Sequence, residues 1–190
     1  HWNDLVRDFL IRHRAHSPYF LDIPREFLSY LDEHRAAHPD DPPFMRELAH
    51  YEWVELALSV DDREMDTACI DPEGDLLGGH PELSPLAWPL QYRFPVHRIR
   101  KDYQPTEAPD TPTFLLVHRD AEDTVRFLGL NPVSARLIGL LAEHTDDAAY
   151  TGRQALETIV SELQHPQPEQ VVAHGLELLR DWRERGIILG

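Results

Sequence analysis

The sequence is poor in cysteine and in long apolar runs, and each shortage excludes a class of protein. Cys69 is the only cysteine, so no disulfide can form within the chain. No apolar run is long enough to cross a bilayer, and no secretory signal is present at the start, so we expect a cytoplasmic protein without a membrane partner. Because the chain starts at His1 inside a helical pattern, we also expect that upstream residues are missing.

Positive charge is scarce as well. The chain has 18 basic and 34 acidic residues, for a net charge of −16. Such a chain repels phosphate backbones, so composition disfavours nucleic acid as a partner. The exception is a local basic run formed by Arg93, His97, Arg98, Arg100 and Lys101. This run either receives an acidic peptide or partner surface, or is a solvated strand face that balances neighbouring acids.

Turn-forming residues between 71 and 89 divide the chain into two parts. We predict a helical domain over 1–75, a linker over 76–89 and a second domain over 90–190. In the first domain, periodic apolar residues predict helices over about 4–14, from Pro24 onward, and over 43–59. The last of these carries two apolar stripes on nearly opposite sides, so it is either buried between layers or has one face for another protein.

The second domain is predicted to be a small antiparallel sheet followed by three helices. Alternating apolar residues predict a strand over 90–96, with Pro95 marking an edge or bulge, and the runs at 113–118 and 124–130 predict a hairpin. Asn131 and Thr151 are typical helix caps. A third helix follows Pro168, and Ile187–Leu189 is predicted as a closing strand. The chain as a whole is therefore predicted to be an α+β protein with a C-terminal winged-helix arrangement.

Winged-helix domains bind either DNA or an extended peptide, and two candidate surfaces follow from the pattern. The early residues of the third helix, which would enter a DNA groove, contain no arginine or lysine before Arg180. A strand edge beside a helix groove can instead capture a peptide as an added strand. The predicted peptide-binding residues are Val125, Phe127, Val171, His174 and Leu178. The alternatives are that loop 101–112 covers this edge, or that the chain is a DNA-binding transcription regulator.

Two Glu-x-x-His motifs raise a third possibility, a di-iron enzyme. Glu47 and His50 form one motif, and Glu162 and His165 form the other. The signal is weak, because a chain with 12 histidines and 34 acids produces such pairs by chance. Cys69 has no basic neighbour, and no nucleophile, phosphate-loop or dinucleotide motif is found, so we predict no catalytic residue and no metal site.

Three segments resemble the HvfC-type maturation partners of bacterial peptide-modification clusters: FLIRHRAHSPYFL at 9–21, ELAHYEWVELAL at 47–58 and LAWPLQYRFPVHR at 86–98. The second half, with LNPVSARLI at 130–138 and a closing Gly-Ile-Ile, is similar to the PqqD-like peptide-recognition element. The N-terminal domain of the family is normally longer. The resemblance implies a non-catalytic subunit that pairs with a multinuclear non-haem iron oxidase of TIM-barrel fold, often in copper-linked operons.

The resemblance also implies what each half of the chain does. The C-terminal domain would hold the leader of a Cys-containing ribosomal precursor peptide as an added strand. The oxidase would modify cysteines of that precursor, and the iron would belong to the oxidase, so the chain itself needs no cofactor. We expect a heterodimer or larger hetero-oligomer, with a partner interface on the helical domain and the basic run. The predicted interface residues are His50, Tyr51, Trp53, Val54, Arg93, His97 and Arg98.

Overall fold

The computed structural model of the chain describes residues 2–13, 17–35, 38–63, 70–145 and 147–190. These residues form six α-helices and a three-stranded sheet, which confirms the predicted α+β class. Cys69 lies outside the described residues, as does the end of the helix predicted to reach residue 14. None of the helices in the described ranges combines the length and apolar character needed to cross a bilayer.

The chain divides into two compact units whose boundaries interleave along the sequence. The first unit comprises His1–Ala57 and Tyr92–Thr113, and the second comprises Leu58–Gln91 and Phe114–Gly190. The chain therefore leaves the first unit, enters the second, and returns before the hairpin. The sequence predicted a single boundary at 76–89, from the turn-forming residues there. The two units of the structure are instead divided at three points along the chain, after residues 57, 91 and 113.

The first unit is built on three helices, α1 (Trp2–Arg12), α2 (Ile23–His34) and α3 (Met45–Ser59). A proline in the first turn of α2 fixes the backbone where a helix leaves its N–H groups unbonded. The buried side chains at the centre of this unit are Leu5, Phe9, Tyr30 and Leu31. Met45 and Ala49 pack against them, so one of the two apolar stripes of α3 is used inside the unit.

The second unit contains most of the sheet and three helices. The sheet has the order β1 (Ala87–Tyr92), β2 (Thr113–Arg119), β3 (Val125–Leu130), with β2 and β3 antiparallel. The helices are α4 (Pro132–Glu143), α5 (Gly152–Leu163) and α6 (Pro168–Glu184). The predicted hairpin and three helices are confirmed. The strand predicted over 90–96 is wrong at both ends, because β1 starts at Ala87, and a 3₁₀ turn over Val96–Arg98 follows Pro95.

The helix starts are fixed by side chains that the sequence makes visible. The Asn131 side chain accepts a hydrogen bond from the Ser134 N–H at 2.9 Å, which caps α4. Thr151 and Gln154 form a reciprocal capping box at the start of α5. At the other end, Gly186 adopts a positive φ of 69°, which glycine permits without steric cost, just after α6 ends. These local signals set the boundaries of the helices.

The helices pack on one face of the sheet around a continuous apolar core. Its most buried members include Leu116, Leu137, Leu156, Leu179 and Trp182. Val133 and Leu163, which continue the apolar stripes of α4 and α5, are 41% and 47% exposed, because both lie at helix ends beyond the packed centre. The predicted closing strand is also wrong, since only an isolated bridge joins Ile188 to Leu83.

Residues 76–89, predicted as a linker, are packed into the second unit. Leu76, Leu86 and Ala87 are buried. The backbone of this segment bonds to the chain end, with Ser84 N–H donating to the Ile187 carbonyl at 2.9 Å. It also covers the start of α5, where two helix N–H groups donate to its carbonyls: Gly152 to Gly79 at 3.1 Å and Arg153 to Leu77 at 3.0 Å. Turn residues are common in residues 76–89 because this segment changes direction as it packs over the start of α5, and not because it is an unpacked linker.

Candidate functional site

The outer edge of β3 is the first feature of the site. β3 is the last strand of the sheet, and no other strand in the described residues pairs with its outer side. The Arg119 N–H donates to the Leu86 carbonyl on the β1 side at 3.1 Å, and the Asp120 N–H donates to the Thr124 carbonyl on the β3 side at 3.0 Å. Backbone groups alternate between the two sides of an antiparallel strand. The even-numbered residues of β2 therefore bond to β3.

The same alternation determines which backbone groups of β3 point toward β2 and which point to the outer edge. His118 pairs with Arg126 and Leu116 pairs with Leu128, so the even-numbered residues of β3 bond inward to β2. The N–H and C=O groups of Val125 and Gly129 consequently face the outer edge. A Cβ atom added at Gly129 would meet no heavy atom within 4 Å. This edge can accept another strand.

A cleft of about 680 Å³ lies beside this edge, between the hairpin and the end of α6. The residues that line it are His118, Asp120, Ala121, Glu122, Arg126, Phe127, Leu128, Arg183, Glu184, Arg185 and Gly186. None of them comes from loop 101–112, which belongs to the first unit. The cleft therefore combines strand backbone, apolar side chains and charged groups in one concave surface.

The structure places the predicted strand and helix residues differently from expectation. Leu128 packs on the same face as the helices, so Val125 and Phe127 point their side chains to the opposite face by alternation. Phe127 still lines the cleft. On α6, Val171 and Leu178 pack against the core and His174 is exposed, whereas the cleft is lined by residues 183–186. The helix side of the cleft is thus later in the helix than the sequence indicated.

His118 is the most buried polar group of the cleft. It is 4% exposed, and its Nδ1 atom has no hydrogen-bond partner among the described residues. Burial is the main cause that lowers the pKa of the ring; Asp120 opposes it, and the nearby Arg185 and Arg126 each lower the pKa by a smaller amount. The imidazole is therefore neutral at pH 7, and one of its ring nitrogens is buried without a partner among the described residues. Sequence reasoning missed this residue, because a histidine inside an apolar strand gives no pattern of its own.

The charged groups of the cleft are held by internal partners. Arg126 Nε lies 2.8 Å from the Asp120 carboxylate, and Arg185 is bonded to Asp181 at 2.8 and 2.9 Å. Arg183 donates to the Gly74 carbonyl at 2.9 Å. The rim therefore has fixed charges of both signs and no strong net field of the kind that binds a polyanion.

Asp120 organises the hairpin turn next to the β3 edge, and this arrangement predicts a pH response. Its carboxylate accepts bonds from Arg126 and from the Thr124 N–H at 2.8 Å, and these bonds lower its pKa, the Arg126 bond most. A carboxyl group with a depressed pKa stabilises the fold above its unfolded pKa of about 3.9, and this contribution is lost as the pH falls through the folded pKa. We expect the Val125 amide resonance to shift with the Asp120 carboxyl resonance in an NMR titration below pH 4.

Arg126→Gln provides the control for this titration. Without the guanidinium, the Asp120 pKa should rise toward the ordinary value, and the Val125 shift should move to the same higher pH. Two results would show that Arg126 does not lower the Asp120 pKa. One is an ordinary Asp120 pKa in the unmodified protein, and the other is an Asp120 pKa that does not change in Arg126→Gln.

A second surface lies in the first unit, where α3 meets residues 92–98. The Glu47 carboxylate accepts a bond from the Phe94 N–H at 2.9 Å, and His50 Nδ1 lies 2.9 Å from the Tyr92 hydroxyl. The rings of Tyr51 and Tyr92 are in edge contact, with centroids 6.4 Å apart. The structure thus joins the two sequence segments that were predicted as one partner interface.

The exposure of the predicted interface residues differs along this surface. Arg93, His97 and Arg98 are exposed, and His50, Tyr51 and Trp53 are partly exposed. Val54 is fully buried, so its side chain is a core residue and cannot touch a partner. The pKa of His50 is lowered by burial and by Arg46, and the pKa of His97 is lowered by burial and by Arg98. Both rings are therefore neutral at pH 7, and the positive charge of the surface comes from arginine.

The Glu-x-x-His residues are engaged in other contacts. Glu47 accepts a bond from Phe94, just after β1, and His50 contacts Tyr92, the last residue of β1, as described above. Glu162 forms an ion pair with Arg136 at 2.9 Å, and His165 contacts the Gln167 carbonyl at 3.2 Å. The two motifs belong to different units, and within each motif the carboxylate and the imidazole have separate partners.

Comparisons with known proteins support the resemblance noted in the sequence. A search of curated proteins found no match to this chain. The family model of the HvfC C-terminal domain matches residues 84–183, which is just over half of the 190-residue chain. This match includes the whole sheet, α4, α5, and α6 to within one residue of its end, and therefore most of the cleft described above. The chain belongs to the family that carries the HvfC C-terminal domain.

Proposed function

We propose that the chain is a non-catalytic partner protein that binds the leader of a ribosomal precursor peptide and presents it to a multinuclear non-haem iron oxidase for cysteine modification. The observation that carries the proposal is the outer edge of β3 beside a cleft of about 680 Å³. Membership of the HvfC C-terminal domain family agrees with an accessory role. The PqqD-like character of the second half remains a prediction from sequence.

Strand addition explains how such an edge selects a peptide. An extended leader pairs its backbone with the outward N–H and C=O groups of Val125 and Gly129, and this pairing is independent of side chains. Specificity comes from the side chains that enter the cleft, where Leu128 offers an apolar contact and charged groups such as Arg126 line the wall. A leader with alternating apolar and polar residues fits this surface, because successive side chains of a strand point to opposite faces.

The surface of the first unit is proposed to dock the oxidase. It combines partly exposed aromatic rings, such as Trp53, with the exposed cations Arg93 and Arg98. Aromatic and arginine side chains are enriched at the centres of protein interfaces. Since the rest of the chain is strongly acidic, these cations favour an acidic patch on the oxidase as the complementary surface. The stated function requires both surfaces, one for the substrate and one for the enzyme.

DNA binding is disfavoured by the same charges. The first turn of α6, which would enter a major groove, carries Glu169 and no arginine or lysine. Phosphate contacts supply most of the affinity of DNA-binding domains and require cations at the interface. A peptide bound by backbone hydrogen bonds has no such requirement.

The proposal is tested by removing one backbone donor from the edge. In Val125→Pro the outward N–H is lost, and proline is tolerated at this position because it is the first residue of an edge strand. We expect the affinity for a fluorescent leader peptide, measured by anisotropy, to fall at least 10-fold. Val125→Ala removes the side chain and retains the N–H, so its affinity should stay within about twofold of the unmodified protein.

Thermal unfolding followed by circular dichroism shows whether each variant is folded. If folded Val125→Pro binds the leader as tightly as the unmodified protein, the β3 edge is not the binding site. If both variants lose affinity equally, the side chain and not the backbone is responsible, and strand addition is the wrong mode.

A further inference from the structure

Three potential metal ligands converge at one end of the first unit, and none of the contacts proposed above uses them. They are His13, in the turn that follows α1, and Glu33 and His34, the last two residues of α2. One ligand atom from each lies within 4.8 Å of the other two. We propose that these three residues form a binding site for a divalent transition metal ion such as Zn²⁺.

His13 is the fixed member of the site. It is 8% exposed, and its backbone N–H donates to the Phe9 carbonyl at 2.9 Å. Its ring stacks on Phe9 with centroids 5.5 Å apart. The Nε2 atom lies 3.4 Å from the Glu26 carboxylate. A carboxylate next to the ring of a ligating histidine fixes the ring and raises its basicity, and such arrangements are common in metal sites.

Tyr30 connects the two histidines. Its ring is 6.5 Å from that of His13 and 5.7 Å from that of His34, centroid to centroid. Tyr30 is fully buried, and its hydroxyl donates to the Asp8 carboxylate at 2.5 Å. One buried aromatic ring is therefore close to both imidazoles, and it holds the buried His13 at a fixed distance from the end of α2.

Glu33 and His34 supply the adjustable part of the site. His34 Nε2 lies 3.8 Å from Glu33 Oε2, and both side chains are exposed. Ligand atoms around a tetrahedral Zn²⁺ are about 3.3 Å apart, because each bond is about 2.0 to 2.1 Å long. Rotation of the two exposed side chains closes the remaining distance, while His13 stays where the core holds it.

The donor set determines the class of metal. Two imidazoles and one carboxylate suit Zn²⁺, Ni²⁺, Cu²⁺ or Fe²⁺, whereas Ca²⁺ and Mg²⁺ require oxygen ligands. Glu33 and the nearby Glu26 together supply two negative charges for a divalent ion. Three protein ligands leave one position for water or for a ligand from another molecule. Bound metal would join the end of α1 to the end of α2 and stabilise the first unit.

The test must separate one built site from adventitious binding, because the chain has 12 histidines and 34 acidic residues. The chelator-treated protein is titrated with Zn²⁺ by calorimetry at neutral pH. We expect one equivalent that binds more tightly than all others. His34→Ala and Glu33→Gln should weaken this equivalent at least 10-fold, and both positions are exposed, so neither change should unfold the protein. His165→Ala, a histidine of the second unit, is the matched control and should bind as the unmodified protein does.

Two further measurements make the result decisive. Zn²⁺ should raise the melting temperature of the unmodified protein and of His165→Ala, and not that of His34→Ala. Equal binding by all variants, or several weak equivalents with no tight one, would overturn the proposal. Leader affinity should be the same for His34→Ala and the unmodified protein. If the metal site proves wrong, the proposed function of the β3 edge is therefore not affected.

Discussion

Gly152→Ala is expected to lower the free energy of unfolding by about 3 kcal/mol or more, because two backbone segments meet at this glycine. A Cβ atom at this position would lie 1.9 Å from the Leu76 carbonyl oxygen and 3.0 Å from the Pro81 side chain. The Leu76 oxygen belongs to the backbone and cannot rotate away. The hydrogen bonds that Gly152 and Arg153 donate to the same segment would be lost as the segment moves.

Gly139→Ala is the matched control, since it also changes a helical glycine by one methyl group. A Cβ atom at Gly139 meets no heavy atom within 4 Å, and alanine is about 1 kcal/mol more favourable than glycine inside a helix. We therefore expect Gly139→Ala to be neutral or stabilising. For Gly152→Ala the melting temperature should fall by roughly 6–12 °C. Similar melting temperatures for the two variants would contradict the docking of residues 76–79 on the start of α5.

The helices and the hairpin could be predicted because their signals are local. Asn131 and Thr151 cap helices through hydrogen bonds to residues three positions later, so sequence and structure carry the same information. The hairpin is set by two apolar runs and a short turn between them. For these elements the nearest neighbours in sequence decide the conformation.

The packing of residues 76–89 could not be predicted from composition. Its contacts are backbone hydrogen bonds to residues that are distant in sequence, such as Ser84 with Ile187 and Gly79 with Gly152. Backbone groups are the same in every residue, so the sequence contains no pattern that names their partners. Glycine and proline indicated turns correctly, but they do not show whether a turn is packed or free.

The candidate sites divide in the same way. The two apolar runs predicted a hairpin, and the strand on which Val125 and Phe127 were placed lies at an edge of the sheet. The cleft beside this edge is lined by residues 183–186, which come later in α6 than the predicted helix residues, because periodicity gives the face of a helix and not its position along a neighbour. Residues 93 and 98 were assigned with α3 to one interface, and two hydrogen bonds join these segments, one accepted by Glu47 from the Phe94 N–H and one between His50 and Tyr92. The cluster of His13 and His34 had no sequence signal, since its members meet only through the packing of α1 on α2.

If the chain acts by holding substrate, the largest functional effect will depend on precursor concentration. A short flexible connection between leader and core peptide gives an effective concentration of the order of 1 mM at the enzyme. With a co-purified oxidase and about 10 µM precursor, we therefore expect Val125→Pro to lower the initial rate of cysteine modification, followed by mass spectrometry, by up to about 100-fold. Val125→Ala should retain most of the rate, because the outward N–H is present.

Raising the precursor concentration distinguishes tethering from a direct part in the chemistry. At about 1 mM precursor, free substrate matches the effective concentration that the leader provides, so the rates with Val125→Pro and with the unmodified protein should converge. A leaderless precursor should behave in the same way with either protein. A rate that stays low for Val125→Pro at every concentration would mean that this chain contributes to the reacting site itself. Equal rates at 10 µM would mean that the leader reaches the oxidase without the β3 edge.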